Sequence, residues 1–424
     1  MERKEQVKSK NIFKRVILPV VLGAVILGAG FLAGYFIPKT SGDKDLDALK
    51  FIIDNYREHY LFEEENVVKT FADAVLDDYS VYYTAEEYAA LKNSDAGNAE
   101  GYGIVFTQKE GTPVVYSIID NSPAFRAGLK KGDAVTAVAV GETNTPVYTV
   151  DDIINTVTGV DGATFFYTRG GNSSSVFIER KAYRKAYVRY YDASGTYGFS
   201  DETGEMRFVR LGDNEDYPVS DGGTAIVSLS EFSGKDSGLY GGEGQFAAVM
   251  DKFKADKKSK IIIDLRGNGG GFLDIMQNIS RYFVCADNGS TPVVLKSENK
   301  KGAVTLYRAD PVRYKEYGFE KIVFLADGNT ASASEALIGA ALDHDVSKIC
   351  RVVVAGGGTF GKGIMQSTYL GADGSAIKLT TEKIFWPNSG ICIHGVGITP
   401  ETDLRVTAET EEGSAYYDGL EFCK

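Results

Sequence analysis

The sequence is poor in the residues that build covalent and metal cross-links. Only four cysteines occur, Cys285, Cys350, Cys392 and Cys423, and none forms a C-x-x-C pair. That excludes a disulfide-stapled mini-domain and a zinc ribbon. The three histidines, His59, His344 and His394, lie far apart, so a His-rich metal centre has no basis. Basic charge is also scarce: 46 Lys and Arg face 58 Asp and Glu, a formal charge of −12. Such an acidic body argues against nucleic acid as a partner, since phosphate binding needs a basic face. There is no internal repeat and no low-complexity tract. What remains is 424 residues, 43% hydrophobic and 25% charged, an ordinary globular composition with room for two or three domains.

The charge is unevenly spread. Residues 1–15 hold six basic and two acidic side chains, which leaves −16 on the rest. Residues 16–38 carry no charge at all. A bilayer core of about 30 Å needs about 20 apolar residues, so this run has the length of one transmembrane helix. It exceeds the roughly 7–15-residue apolar core of a cleaved signal peptide, the competing reading. The basic residues before it place the N-terminus in the cytoplasm and everything after Lys39 outside. The expectation is therefore a cytoplasmic tail at 1–15, an anchor at 16–38 and a single-pass protein of the cell membrane with an extracytoplasmic body.

The pattern then changes three times. At 43–97, Leu46, Leu49, Ile52, Ile53 and Tyr56 recur at helical spacing, and Thr84 with Glu87 reads as a capping box opening a further helix. Residues 95–98 read as a linker. From 98 to 182 short strands and turns enclose one helix, which Thr149 and Asp152 would cap, with Ile153, Ile154 and Val157 as its apolar face. Residues 190–222 are Gly- and Asp-rich and read as hairpins or a surface loop. Beyond Gly223, apolar strands at 261–265, 322–326 and 352–355 alternate with helical stretches at 272–284 and 332–344. That alternation predicts an α/β core with parallel strands.

Three Gly-rich segments invite comparison with phosphate loops. Residues 356–362 read GGGTFGK, but position 363 is Gly where a nucleotide loop places Ser or Thr, and a strand-like stretch follows instead of a helix. Residues 266–271 read RGNGGG, with Phe272 where a dinucleotide loop needs its third glycine. A Gly-rich strand-to-helix turn still presents unpaired N–H groups suited to an oxyanion. The third, GYGI at 101–104, opens a strand in the middle block. Residues 330–335, TASASE, follow an apolar strand and lead into an Ala- and Leu-rich helix. A serine there is placed either as a nucleophile beside a helix N-terminus or as a plain N-cap. No G-x-S-x-G occurs, so this is not an α/β-hydrolase elbow. His344 would point away on the same helix. Lys362, flanked by glycines in an apolar setting, is the better base, because burial depresses a lysine pKa.

In order, these segments resemble the carboxyl-terminal processing peptidases, or tail-specific proteases. The resemblance rests on DDYSVYYTAEEY at 77–88, NSPAFRAGLKKGD at 121–133, DLRGNGGG at 264–271, TASASE at 330–335, TFGKGIMQ at 359–366 and GVGITP at 395–400. It implies a multidomain α/β and β protein with a helical N-terminal segment at 43–97, a PDZ domain at 98–182, a serine peptidase core at 183–405 and a C-terminal tail at 406–424. It also implies Ser332 as nucleophile rather than Ser334, Lys362 as general base and Gln366 as the residue orienting it. The N–H groups of Gly270 and Ala333 would form the oxyanion hole, and Asp343 would be a supporting residue. Gly101, Tyr102, Gly103 and Ile104 would hold a peptide C-terminus. Neither cofactor nor metal is implied. The expected partners are protein or peptide substrates with free C-termini, and the membrane through the anchor; a homo-oligomer is left open. The competing function is a catalytically silent PDZ scaffold, which would not need the Ser-Lys-Gln set intact.

Overall fold

A strand reading Lys-Ile-Ile-Ile-Asp, apolar at three successive positions, is suited to burial on both faces, and the fold is built around that strand. The structure, a computed structural model, describes residues 42–59, 66–214, 216–217, 219, 222–234, 238–286 and 290–424. The expected anchor at 16–38 and the basic segment before it lie outside the described residues. Among the described residues no helix is long and apolar enough to cross a membrane. The chain divides into two units, Met1–Phe71 and Ala72–Lys424. In the first, helix α1 (Lys44–His59) has no fully buried residue, and Leu49, Ile53 and Tyr56 are among its half-buried ones. Helix α2 (Val67–Val75) straddles the division.

The second unit opens with strand β1 (Val81–Tyr83) and helix α3 (Ala85–Asp95). The expected capping box is present: Glu87 N–H donates to Thr84 Oγ1 and Thr84 N–H donates to the Glu87 carboxylate. The strand β1 was not expected inside a segment read as wholly helical; it is three residues long and is held by pairing, not by a periodic pattern of its own. Gly97, with φ +85°, turns the chain at the expected linker.

A β-rich module follows: β2 (Asn98–Gly101), β3 (Ile104–Lys109), β4 (Thr112–Ile118), α4 (Pro123–Arg126), β5 (Ala134–Val140), β6 (Thr143–Pro146), α5 (Val150–Val157), β7 (Gly162–Arg169), β8 (Asn172–Glu179) and β9 (Lys181–Arg184). Its sheet runs β3-β4-β5-β7-β8, with β6 on β5, and Val115, Val135, Val138, Ile153, Phe165 and Ile178 fill its core. Thr149 and Asp152 cap α5 as expected. Strands β2 and β9 pair antiparallel, so the module leaves the body where it joined it.

The body contains β10 (Val188–Asp192), β11 (Gly195–Ser200), β12 (Arg207–Gly212), β13 (Thr224–Leu229), α6 (Gly242–Ala255), β14 (Lys260–Asp264), α7 (Leu273–Ser280), β15 (Val293–Asn299), β16 (Val304–Arg308), β17 (Lys321–Asp327), α8 (Ala333–Asp343), β18 (Cys350–Ala355), β19 (Ile364–Leu370), β20 (Ala376–Phe385), β21 (Val406–Ala408) and α9 (Ala415–Cys423). Eight strands form the order β12-β11-β10-β13-β14-β17-β18-β21. The five from β13 onward are parallel, as the alternation predicted. Ile261 and Ile263 belong to the same core cluster as Phe246, Phe253, Met276 and Leu337 of α6, α7 and α8. Ile262, on the other face, meets Ala415, Tyr416 and Cys423 of α9. Residues 406–424, read as a tail, thus supply an edge strand and the cover for one face. Residues 190–222, read as hairpins or a loop, extend the same sheet through β11 and β12.

A second sheet runs β1-β20-β15-β16, with β19 on the other edge of β20. Trp386, just past β20, packs onto α8 at Gly339, where an added Cβ would lie 2.1 Å from Trp386 Nε1. Overpacking of this kind costs roughly 1–3 kcal/mol. Gly339→Ala should therefore lower the melting temperature and alter the emission of Trp386, the sole tryptophan; unchanged melting and emission would show that this contact is loose.

Candidate active site

Three parallel strands end at one place, and each gives way to a loop from a Gly-rich or serine-bearing segment noted above. β14 runs into 265–271, β17 into 328–332 and β18 into 356–363. The carboxyl ends of parallel strands are where open α/β sheets place their sites. Main-chain bonds tie the loops together. Ala331 N–H donates to Asn268 O at 3.0 Å, and Phe360 N–H donates to Thr330 O at 3.0 Å. The Thr330 hydroxyl donates to Leu265 O at 2.9 Å.

Ser332 sits at the mouth of α8 with φ 58° and ψ −114°. A non-glycine residue there is strained, and such strain persists only where surrounding bonds fix it. Glu335 supplies them. Its Oε2 accepts from Ser332 N–H at 2.8 Å and from Lys362 N–H at 2.9 Å. Its Oε1 accepts from Gly361 N–H at 2.7 Å and from the Thr359 hydroxyl at 2.5 Å. Glu335 is wholly buried. Burial pushes its carboxyl above the ordinary range, against the opposing pull of these four donors. The Thr359 oxygen also accepts from Ile398 N–H at 2.7 Å, bringing in the segment 395–400.

The two candidate serines separate cleanly. Ser334 is fully buried, and its hydroxyl donates to Asn268 O at 3.0 Å; Ser332 is only half-buried. Lys362 is half-buried too, and its ammonium lies over the Tyr79 ring, 4.9 Å from the centroid. Burial lowers its pKa below the usual lysine value, Lys378 adds to the lowering and Asp77 opposes it.

Two expected roles look different in place. Gly270 does lie against Ser332: a Cβ there would come within 2.8 Å of Ser332 Cβ and 2.9 Å of Ala333 N, so only glycine fits. Its N–H, however, donates to the Asn268 side-chain oxygen at 2.9 Å, whereas the Ala333 N–H opens the helix, where amides lack intrahelical acceptors. Gln366 does not reach Lys362; its amide donates to Thr380 Oγ1 at 3.4 Å. The reason is local. Lys362 precedes β19, and the β19–β20 register shifts between Met365 and Gln366, so the two residues do not share one regular strand.

Asp343 is a supporting residue as expected, accepting from the Asn388 and Ser389 amides. His344, at the far end of α8, contacts Val293 O. Residues 101–104 connect the end of β2 to the start of β3 in the module, with Gly103 at φ +78° packed on Ser122. Among the described residues no group of three His, Cys, Asp or Glu side chains is arranged to hold a metal. Sequence reasoning passed over Glu335, although its spacing from Ser332 is that of a capping box. It also passed over Asn268, whose buried side chain ties Gly270 to Leu229 O.

Residues 223–404 match the profile of peptidase family S41. This region is a peptidase family S41 domain. The chain is 29% identical over 303 residues to the "Probable CtpA-like serine protease" of Staphylococcus saprophyticus, covering 71% of this chain and 52% of that one. It is 28% identical over 293 residues to the Staphylococcus aureus RF122 protein of the same description, covering 69% and 50%. The chain thus spans about half the length of the curated relatives it matches. A solved structure of a Bacteroides fragilis NCTC 9343 protein assigned to the S41 proteases aligns over 90% of this chain and 94% of its own, at 14% identity and a TM-score of 0.52. That likeness shows the fold.

Within this S41 domain, Glu335→Ala removes the acceptor of four donors, each costing about 1–3 kcal/mol when left buried and unmet. It should destabilise the protein markedly, and Glu335→Gln, which keeps the shape, should still lower kcat/KM at least a hundredfold. Thermal melts and peptide hydrolysis check both; wild-type kcat/KM in Glu335→Gln would show that the carboxylate is dispensable.

Proposed function

We propose that the protein is a serine endopeptidase in which Ser332 is the nucleophile and Lys362 the general base. The observation that carries the reading is the single Glu335 oxygen that accepts from the main-chain amides of both residues. In this scheme Lys362 Nζ takes the Ser332 hydroxyl proton as Oγ attacks the peptide carbonyl carbon. The oxyanion forms beside the Ala333 N–H at the helix mouth. The Lys362 ammonium then gives its proton to the departing amine, leaving an acyl ester on Ser332. Water, deprotonated by Lys362, hydrolyses that ester and restores both groups. The half-burial of Lys362 and its depressed pKa suit it to this work at moderate pH.

The module at 98–182 is proposed as a PDZ domain that captures the C-terminal tail of a substrate. Strand β3 stands at one end of its sheet and packs against α5, an arrangement suited to adding a peptide strand. Residues 101–104 would receive the terminal carboxylate at the start of that strand. The run at 16–38 would anchor the protein in the cell membrane with the peptidase outside.

Ser332→Ala should abolish cleavage, while Ser334→Ala, which loses one buried hydrogen bond, should fold with modest destabilisation and keep activity. For the native enzyme kcat/KM should rise with pH through one deprotonation below the free-lysine value near 10.4. Lys362→Arg should be inactive, because guanidinium does not deprotonate. An active Lys362→Arg enzyme would remove the dyad.

A second comparison tests tail capture. Amidating a substrate's C-terminus removes the carboxylate, so its affinity should fall several-fold relative to the free acid. Equal cleavage of both peptides would exclude tail selection by the module.

A further inference from the structure

The S41 domain spans residues 223–404, yet one side of Lys362 is covered from outside it. The Tyr79 ring lies over the ammonium at 4.9 Å, and no hydrogen bond or ion pair of that ammonium occurs among the described residues. The segment carrying Tyr79 is not a loose arm. Asp77 Oδ1 accepts from Tyr79 N–H at 2.8 Å, and Asp77 Oδ2 accepts from the Ser80 hydroxyl at 3.1 Å. The turn is bolted to the middle of β20: Thr380 N–H donates to Ser80 Oγ at 2.9 Å, and the Thr380 hydroxyl donates to Asp77 Oδ1 at 3.2 Å. Gln366 donates to that same hydroxyl. Strand β1 then continues along β20, with Val81 opposite Lys378.

We infer that Tyr79 is a positioning residue for the general base, its ring capping Lys362 from solvent and fixing where the amine points, with Thr380 as the anchor that holds the ring there. The inference rests on the reading of Lys362 as that base. The charged and titratable groups around Lys362 are Lys378 on β20, Asp77 on the capping segment and Glu335 on α8, which bonds its main-chain amide. The ring has two opposed effects. Its π face favours the ammonium, while its bulk excludes water and favours the neutral amine. Lys362 is half-buried, with no hydrogen bond or ion pair of its ammonium among the described residues, and burial is the largest cause of its lowered pKa; we assign the ring to the water-excluding side of this balance. This gives Gln366 a place in the site without a bond to Lys362: it acts through Thr380 on the segment that carries the cap.

The test is the pH profile of kcat/KM for Tyr79→Phe, Tyr79→Ala and Thr380→Val in the full chain. Tyr79→Phe keeps the ring and should stay within about twofold of the native enzyme with an unmoved profile. Tyr79→Ala uncovers the amine, so the rising limb should move up by about one pH unit, with a loss of about tenfold at neutral pH that is recovered at high pH. Thr380→Val keeps Tyr79 but removes the hydroxyl that Asp77 accepts from, and its limb should move in the same direction. A uniform loss across pH in Tyr79→Ala, or an unmoved limb in both Tyr79→Ala and Thr380→Val, would overturn the inference. Should Tyr79→Ala fail to fold, Thr380→Val alone decides, by whether its limb moves. If Lys362→Arg is active, it is the dyad reading that fails; if Lys362→Arg is dead and the limb unmoved, only the cap fails.

Discussion

One buried carboxylate organises this site. Glu335 is sealed from bulk solvent and accepts from four protein donors drawn from two loops. A buried carboxylate left short of partners is costly, so the loops at 330–335 and 359–363 are fixed relative to each other by the same bonds that make the glutamate tolerable. The strained backbone at Ser332 is one consequence. Its conformation costs of order 1–3 kcal/mol and is held by a charge-assisted bond from its own amide.

The surrounding architecture serves to bring those loops to one point. Parallel strands covered on both faces end at a common edge, and the loops that leave them inherit its position. Asn268 joins the first loop to the second through its main-chain oxygen, which takes both the Ala331 amide and the Ser334 hydroxyl. The second sheet does the corresponding work for Lys362. It carries the strand that follows the lysine and, through β1, the segment that covers it. Lys362 is thus enclosed by elements nearly three hundred residues apart in sequence, and a domain boundary drawn by family similarity passes between them.

Much of this was legible beforehand. The apolar runs at 261–265 and 352–355, alternating with helical stretches, read as buried strands, and the two capping boxes at Thr84 and Thr149 announced their helices. The choice of Ser332 over Ser334 came from motif order, and the structure supplies the physical distinction between a sealed hydroxyl and a half-exposed residue. What was not legible depends on partners distant in the chain. Strand β1 is three residues long, with no periodicity to detect, and exists through its pairing with β20. The segment 406–424 has too little pattern to reveal that α9 covers Ile262 and Val323. Gln366 was assigned from its place in the segment 359–366, and a motif does not reveal the register shift beside it or its bond to Thr380. The Asn268 bond to Gly270 is a side-chain contact within a loop whose glycines predict freedom, not the particular turn adopted.

The most direct test of the central claim is to map where a fluorophosphonate, which labels only activated serines, attaches to the protein, using mass spectrometry across pH in the native enzyme and in folded Glu335→Gln. The account predicts a single label on Ser332, forming at a rate that rises as Lys362 deprotonates, and very slow labelling in Glu335→Gln, where the carboxylate that joins the two loops is gone. Labelling at Ser334, or native-like labelling of Ser332 in Glu335→Gln, would contradict it.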